Sequence, residues 1–195
     1  MSANQYGIGD SPKRREDARL LQGLGSYHGD IVPADSSFAV FVRSTHAHAQ
    51  LLSIDVSSAA TLSGVHEVLV GTDACEAGIK PLPPHAEENP HNGERYRFQP
   101  QPVLALGRVR YVGEPIAVVI AETEALAHRA ADLITVEYSP LPVITTVTAA
   151  KAADAVLISD EVPGNTCLDW DFGDAAATDK AFQNAAYVVE LDVDN

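Results

Sequence analysis

The residues whose spacing suggests chemistry most directly are His46 and His48. On an extended strand, positions i and i+2 point to the same face, which would suit two ligands of one metal ion. A closed metal site needs three or four ligands, and no third ligand lies nearby in the sequence. We therefore predict no metal ligands. A histidine-dependent metallohydrolase that uses this pair remains an alternative.

A second group of polar residues lies in a proline-rich stretch, residues 78–102, which contains six prolines. Proline interrupts helices and sheet ladders, so the composition predicts a long loop, and long loops in compact domains are commonly functional or interface-forming. Its histidines and carboxylates are more typical of an exposed polar loop than of a cation site: His85, Glu87, Glu88, His91 and Glu94.

Candidate nucleophiles lie near the C-terminal end. Ser159, Asp160 and Cys167 could form a catalytic group only with a distant histidine, and no nucleophile elbow is present. The neighbouring Trp170 and Phe172 are expected to anchor a loop on an adjacent surface rather than to stack on a ligand. We therefore predict no catalytic residue in this stretch.

Three glycine motifs lack the strand, turn and helix context of a nucleotide-binding loop. Gly7-x-Gly9 and Gly23-x-Gly25 are typical of turns. The third, Gly113-Glu114-Pro115, has one glycine, no lysine and an acid where a phosphate would lie. It predicts a tight turn, so we expect no cofactor-binding residue at any of the three.

Composition excludes several classes of protein. The 195 residues carry 13 Lys and Arg against 27 Asp and Glu, a net charge of −14 that repels nucleic acid. The basic cluster Lys13-Arg14-Arg15 is followed at once by two acids, so we expect a solvated surface. No apolar run reaches membrane-spanning length. These features predict a cytoplasmic protein that binds neither nucleic acid nor membrane.

The two cysteines, Cys75 and Cys167, are far apart in the sequence. A disulfide framework or a thiolate-rich metal site needs more of them, so we expect two free, buried thiols in a reducing compartment. Four ligating thiolates are needed for an iron–sulfur cluster, so this chain alone cannot hold one.

The elements that must position these residues are clearest in residues 110–138. The apolar run 116–121 predicts a strand covered on both faces, Thr123 a helix N-cap, and 134–138 a second strand. This order predicts a βαβ unit of the kind found in parallel or mixed sheets.

Other segments complete the prediction of an α+β fold. Strands are expected at 25–28, 37–43, 50–56, 65–70 and 186–193, with Phe38, Val40 and Val42 on one face of the second of these. The strands at 50–56 and 65–70, with the short helix between them, predict another βαβ unit. Further helices are expected at 15–21, 72–74, 149–156 and 174–186. An unpaired strand at 186–193 would favour self-association through its backbone.

Four segments in order resemble the N-terminal part of the large, molybdopterin-binding subunit of the molybdenum hydroxylases, the family of xanthine dehydrogenase, aldehyde oxidase and aerobic carbon monoxide dehydrogenase. They are RREDARLLQGLGSYHGDI (14–31), VRSTHAHAQLLSIDVSSAATLSGVHEVLVGTDA (42–74), RYVGEPIAVVIAETEALAHRAADLITVEYSPLPVI (110–144) and FGDAAATDKAFQNAAYVVEL (172–191).

The resemblance implies an α/β-hammerhead at residues 20–145, preceded by an arm and the start of the first helix at 1–19. A linker and the truncated start of a molybdopterin-binding domain would occupy 146–195. Enzymes of this family hydroxylate aldehydes and N-heterocycles or oxidise carbon monoxide, with oxygen from water. A molybdopterin-type molybdenum cofactor serves the complete subunit, and iron–sulfur clusters and FAD lie on partner subunits or domains.

The resemblance carries over no catalytic, cofactor-binding or metal-binding residue, because the matching motifs of the family come later in the large subunit. It implies a structural fragment that is inactive alone, whose partners are the remainder of the large subunit and the iron–sulfur and FAD subunits. The alternative is a free-standing adaptor or ligand-binding module that has the same fold without catalysis.

Overall fold

The computed structural model describes residues 7–9, 11–83, 88–89, 93–98, 100–170, 172–191 and 193. The chain divides into two compact units, Met1–Ser37 and Phe38–Asn195. We describe each unit separately.

The first unit contains the short helix α1, Asp17–Leu21, within the predicted segment. Two residues after its end stands Gly23, whose φ of +72° is the left-handed conformation that glycine adopts readily. The predicted strand at 25–28 is wrong. A 3-10 helix, His28–Asp30, begins there instead, because the Asp30 carboxylate accepts the Tyr27 N–H at 2.8 Å and closes a turn. The basic cluster is exposed as predicted, and its Arg14 pairs with Asp17 at 2.9 Å.

The second unit contains six strands and five α-helices within the described residues. The strands are β1 (Phe38–Arg43), β2 (Ala49–Asp55), β3 (Val65–Val70), β4 (Arg108–Val109), β5 (Pro115–Ala121) and β6 (Thr135–Pro140). The helices are α2 (Ser57–Ala60), α3 (Gly71–Glu76), α4 (Glu124–Ala131), α5 (Val147–Ala150) and α6 (Ala175–Gln183).

The strands form two three-stranded sheets, sheet A with the order β1-β5-β3 and sheet B with the order β4-β2-β6. The α+β class is confirmed. The two predicted βαβ units, and with them the mixed sheet, are wrong, because every described strand pairing is antiparallel. The strands on either side of α4, and those on either side of α2, lie in different sheets. Each of these helices therefore connects two sheets rather than two neighbours in one.

The main core lies between sheet A and helices α2 and α4. Ala59, Ala127 and Ala130 of the helices are fully buried against Val119 and Ala121 of β5. Small helix residues let the helices approach the sheet closely, and β-branched residues fill the sheet side. Burial alternates along β1, so the predicted inward face is confirmed.

Helix α4 begins where the sequence predicts it. The Thr123 hydroxyl accepts the Leu126 N–H at 3.2 Å and satisfies one of the free donors of the first turn. Residues Glu124 and Arg129 lie in the first and last turns, where their charges oppose the helix dipole.

A second core supports sheet B and requires a very close approach of two backbone segments. Ala49, Ala105 and Val109 are buried together, with Leu51 and Tyr138 beside them. Nearby, a Cβ atom on Gly71 would lie 2.3 Å from the Ala105 carbonyl oxygen. Helix α3 can start there only because Gly71 has no side chain.

The C-terminal third departs most from the predictions. Helix α6 is confirmed, but α5 is only one turn long and begins two residues earlier than predicted. The predicted strand at 186–193 is wrong for its described residues, which belong to no sheet. Their side chains have no sheet face to pack on and are exposed. Within the described residues, every helix is too short or too polar to cross a bilayer.

The close approach at Gly71 gives a stability prediction. In Gly71→Ala the new methyl group meets a backbone oxygen that cannot rotate away, so we expect a loss of about 1–3 kcal/mol in the free energy of unfolding. Gly29→Ala is the matched control, since a methyl group on Gly29 would meet no atom within 4 Å. Urea denaturation of the two variants measures the difference, and equal stabilities would contradict the packing.

Candidate functional site

The best-defined polar structure in the chain is the turn that leads into β5. The Ser44 N–H donates to the Glu114 carbonyl at 2.8 Å, and the Gly113 N–H donates back to the Ser44 carbonyl at 2.8 Å. Arg43 Nη1 adds a bond of 2.9 Å to the Gly113 carbonyl. Gly113 has φ +89°, which explains why glycine occurs at this point of the turn. The predicted tight turn is confirmed.

The side chain of Glu114 is built into this turn. It is only 6% exposed, and its carboxylate accepts the backbone N–H of Arg110. Burial raises the pKa of Glu114 above its ordinary value of 4.5, while the Arg110 and Tyr111 N–H groups and the Arg110 charge oppose that rise. Burial likewise lowers the pKa of Arg110, and Glu114, Asp160 and Glu161 oppose that change.

His48 directly precedes β2 of sheet B and is 2% exposed. Its Nδ1 lies 2.7 Å from the Pro142 carbonyl. Because a carbonyl only accepts, Nδ1 is the donor in this contact. Within the described residues, His48 Nε2 and Arg110 Nε are buried with no hydrogen-bond partner. Ordered water is the usual partner of such groups.

The structure gives His46 a different environment from His48. The His46 ring stacks on Tyr138 with 4.3 Å between centroids, and its Nδ1 lies 3.2 Å from the Thr45 hydroxyl. The pair lies before β2 rather than on a strand, so the premise of one shared face is wrong. Across the described residues, no group of three His, Cys, Asp or Glu side chains is arranged to hold a metal ion.

Residues 141–170, which we name the strap, are attached to the rest of the unit at successive points. The first is the His48 contact with Pro142, and the second is an ion pair between Arg108 and Asp160 at 3.6 Å. Farther on, the Arg97 N–H donates to the Cys167 carbonyl at 2.7 Å, and Asn89 Nδ2 donates to the Asp169 carbonyl at 2.9 Å. The last two contacts come from the proline-rich stretch, which is therefore fastened to the strap.

Asn165 organises the middle of the strap. Its Nδ2 donates to the carbonyls of Ala150 and Val156 at 3.1 and 3.0 Å, and its Oδ1 accepts the Ile158 N–H at 3.0 Å. Its φ of +54° is left-handed, a conformation that Asn tolerates better than most residues. The sequence analysis missed this residue. The signal that could have found it is the Gly164-Asn165 pair, which is typical of a turn.

The strap also borders a cavity of about 410 Å³. Its walls are mainly apolar, with hydroxyl, amide and thiol groups among them: Ile144, Thr145, Thr146, Val147, Ala150, Ile158, Ser159, Val162, Asn165 and Cys167. Ser159 is buried and its hydroxyl accepts the Glu161 N–H at 3.3 Å, while Asp160 faces Arg108. No histidine lies among the described residues that line the cavity, so these residues do not by themselves complete a catalytic group.

The remaining candidates have mixed outcomes. Both cysteines are free, but Cys75 is exposed, so the prediction that both are buried is wrong. Trp170 and Phe172 are both exposed, and their expected anchoring on a neighbouring surface stays a prediction. In the proline-rich stretch, isolated antiparallel bridges join Glu88 to Arg95 and Leu82 to Gln101. Its residues His85, Glu87 and His91 lie outside the described residues.

The second unit thus consists of two antiparallel sheets, helices on one face of sheet A and a fastened strap, and its described residues assemble no reaction centre. The class is that of the α/β-hammerhead. The family model for aldehyde oxidase and xanthine dehydrogenase, a/b hammerhead domain, matches residues 22–142.

Curated relatives agree with this class. The chain is 36% identical to the carbon monoxide dehydrogenase large chain of Afipia carboxidovorans, over 93% of this chain and 23% of the relative. It is 39% identical to the nicotine 6-hydroxylase large subunit of Paenarthrobacter nicotinovorans, over 93% of this chain and 21% of the relative. The chain thus spans less than a quarter of the length of these relatives.

Solved structures show the same fold. Reconstituted CO dehydrogenase from Oligotropha carboxidovorans superposes with a TM-score of 0.72 at 33% identity, over 93% of this chain and 23% of that one. Quinoline 2-oxidoreductase from Pseudomonas putida 86 superposes with a TM-score of 0.64 at 41% identity, over 73% of this chain and 17% of that one. The chain belongs to the large-subunit family of the molybdenum hydroxylases, which includes carbon monoxide dehydrogenase and xanthine dehydrogenase.

The hydrogen bond to Glu114 gives a second prediction. Glu114→Ala leaves the buried Arg110 N–H without its acceptor, so we expect a loss of about 1–3 kcal/mol in the free energy of unfolding. Glu114→Gln keeps an acceptor oxygen at that place and should lose less. Chemical denaturation near neutral pH compares the two variants, and equal losses would argue against the assigned bond.

The raised pKa of Glu114 also fixes the direction of its pH dependence. The folded chain binds this proton more tightly than the unfolded chain does. The resulting stabilisation is complete below the ordinary pKa of 4.5 and is lost as pH rises through the folded pKa. The stability of the natural chain relative to Glu114→Gln should therefore fall with rising pH across this window, because the other carboxyl groups are common to both.

Asn165 gives a third prediction. Asn165→Gly keeps the left-handed backbone at low cost but removes three side-chain hydrogen bonds, so the strap should loosen between residues 150 and 165. Asn165→Ala should be less stable still, because alanine disfavours that φ. Limited proteolysis of the strap together with thermal denaturation separates the two effects. Unchanged protease resistance in Asn165→Gly would show that the side-chain bonds do not hold the strap.

Proposed function

We propose that this chain is the N-terminal hammerhead portion of a large subunit of a molybdenum-dependent hydroxylase or dehydrogenase and is inactive alone. In this proposal residues 1–19 are an arm and the start of the first helix, and 20–145 form the hammerhead domain. Residues 146–195 contain a linker and the start of the molybdopterin-binding domain. The parent activity would be oxidation of aldehydes, N-heterocycles or carbon monoxide, with oxygen taken from water.

One observation carries the proposal: the chain matches its relatives over 93% of its own length but covers only 21–23% of theirs. A relationship that is continuous over nearly the whole chain, yet confined to one part of each relative, supports a portion of a larger subunit. The fastened strap is consistent with a scaffold role, because it holds the segment that leads toward the C-terminal residues in a defined path.

The molybdopterin-type cofactor does not fit a site made of the described residues. The main polar groups, Arg110, Glu114 and Ser44, bond to one another within a turn rather than facing an open cradle. We propose that the cofactor is held outside this chain, so the chain supplies no catalytic, cofactor-binding or metal-binding residue. Its partners would be the remainder of the large subunit and subunits or domains that carry iron–sulfur clusters and FAD. We place the complex in the cytoplasm.

A second candidate is a free-standing adaptor or ligand-binding module. It is favoured by the compactness of the unit Phe38–Asn195, which has buried clusters on both of its sheets. The reading frame after Asn195 discriminates between the two. Continuation into glycine-rich cofactor-binding motifs would rule out the adaptor, and a native stop codon would favour it.

The molybdenum content of the purified chain tests the main proposal. We expect essentially no molybdenum and no dye-linked oxidation of aldehydes, N-heterocycles or carbon monoxide, because the groups that hold and use the metal lie elsewhere. Elemental analysis of the chain expressed in a host that makes the cofactor measures this directly. Stoichiometric molybdenum would contradict the proposal. Bound metal that is lost in His48→Ala would instead support the metallohydrolase alternative.

A further inference from the structure

We propose that the open face of sheet A is the surface on which the molybdenum-binding part of the large subunit packs, with Phe41 as its anchor. The inference rests on the function proposed above. We define the open face as Ala39, Phe41, Leu69, Val118 and Ile120, which lie on the side of the sheet opposite helices α2 and α4.

The strand register establishes this face. Phe41 pairs with Val118, which pairs with Leu69, so three apolar side chains form one row across the sheet. The next row contains Ala39, Ile120 and Glu67. Residues one position along these strands, such as Val40, Val119 and Val68, pack against the helices. Because side chains alternate along a strand, the open face points away from that core.

The composition of β5 indicates that both faces of sheet A are covered in the assembled protein. Its sequence, PIAVVIA, is apolar throughout, whereas a strand with one solvated face alternates with polar residues. Yet Phe41, at the β1 end of the row, is 47% exposed, and Val118 and Leu69 are only partly buried. Farther along β5, Ile116 lies on the same side as Val118 and Ile120 and is fully buried, so the described residues cover that end of the face and leave the Phe41 row only partly covered.

Phe41 is held ready for contact. The Arg43 guanidinium lies over its ring, 5.7 Å from the centroid, and bonds through Nη1 to the Gly113 carbonyl. The ring is therefore fixed through Arg43 to the turn that Glu114 stabilises. An aromatic residue whose ring is already held in place is a common anchor of an interface, since little side-chain entropy is lost on binding.

Size and charge select the occupant. Two rows of residues across three strands make a patch about 14 Å wide and about 10 Å long, far below the roughly 800 Å² that each partner buries in a stable complex of separate chains. Each chain also carries a charge of −14, which opposes association with a second copy. A patch of this size suits a partner in the same polypeptide, where tethering supplies a high local concentration. The molybdenum-binding part of the subunit meets that requirement.

A chimaera tests the proposal. This chain replaces the matching segment of the Afipia carboxidovorans carbon monoxide dehydrogenase large chain, and the molybdenum content of the product is measured. We expect the chimaera to take up molybdenum. The Phe41→Glu variant of the chimaera should lose most of this molybdenum, and the Leu133→Glu variant should retain it. Leu133 is the matched control because it is 41% exposed and follows α4 on the covered side of sheet A.

Two measurements on the isolated chain accompany this experiment. Thermal denaturation should give similar stabilities for Phe41→Glu and Leu133→Glu, which separates docking from folding. Hydroxyl-radical labelling of Phe41 should be strong in the isolated chain and several-fold weaker in the chimaera.

Each other result is decisive. Suppose that the unsubstituted chimaera holds molybdenum. If its Phe41→Glu variant also retains the metal, or if the Phe41→Glu and Leu133→Glu variants both lose it, the docking surface is overturned and the proposed function stands. Undiminished labelling of Phe41 in a chimaera that contains molybdenum also overturns the docking surface. Dimerisation of the isolated chain through Phe41 overturns it as well. An unsubstituted chimaera without molybdenum counts against the proposed function itself and therefore against this inference.

Discussion

The pair of hydrogen bonds between Ser44 and the Gly113–Glu114 turn is the constraint on which the second unit depends. The chain passes from sheet A to sheet B after β1 and returns from sheet B to sheet A before β5, and these two crossings meet at that pair of bonds. Buried backbone groups need partners, and two crossing segments have no ladder to provide them. By bonding to each other, and to the Glu114 carboxylate through Arg110, the crossings fix how the sheets are joined.

Burying Glu114 and Arg110 costs solvation free energy, so these charges alone are weak evidence of a net gain in stability. Their value lies in specificity of arrangement. The carboxylate accepts a backbone N–H that no strand could satisfy, and Arg43 connects the same turn to the exposed ring of Phe41. One turn thus contributes both to the internal joint of the domain and to the orientation of the exposed Phe41 ring.

The elements of this fold were largely predictable from the sequence, and their pairing was not. The cap at Thr123 and the alternation along β1 are local patterns, so they identified a helix and a strand correctly. Whether the strands flanking α4 share a sheet depends on partners far away in sequence, and a βαβ pattern contains no such information. The strap was missed for a related reason. Single side chains hold it, because Asn165 bonds to carbonyls within the strap and Asn89 donates to the Asp169 carbonyl from outside it, and isolated asparagines leave no periodic signal.

Asn165 also has a consequence for how this part of the chain tolerates change in length. Its amide nitrogen bonds the carbonyls of both Ala150 and Val156, so one side chain closes the excursion between them. Extending a surface loop whose ends are already joined adds little free-energy cost, since closure entropy grows slowly with length. Insertions or deletions within residues 151–155 therefore leave unchanged the direction in which the following chain leaves the domain. This short excursion is a natural point for insertions to accumulate among related subunits.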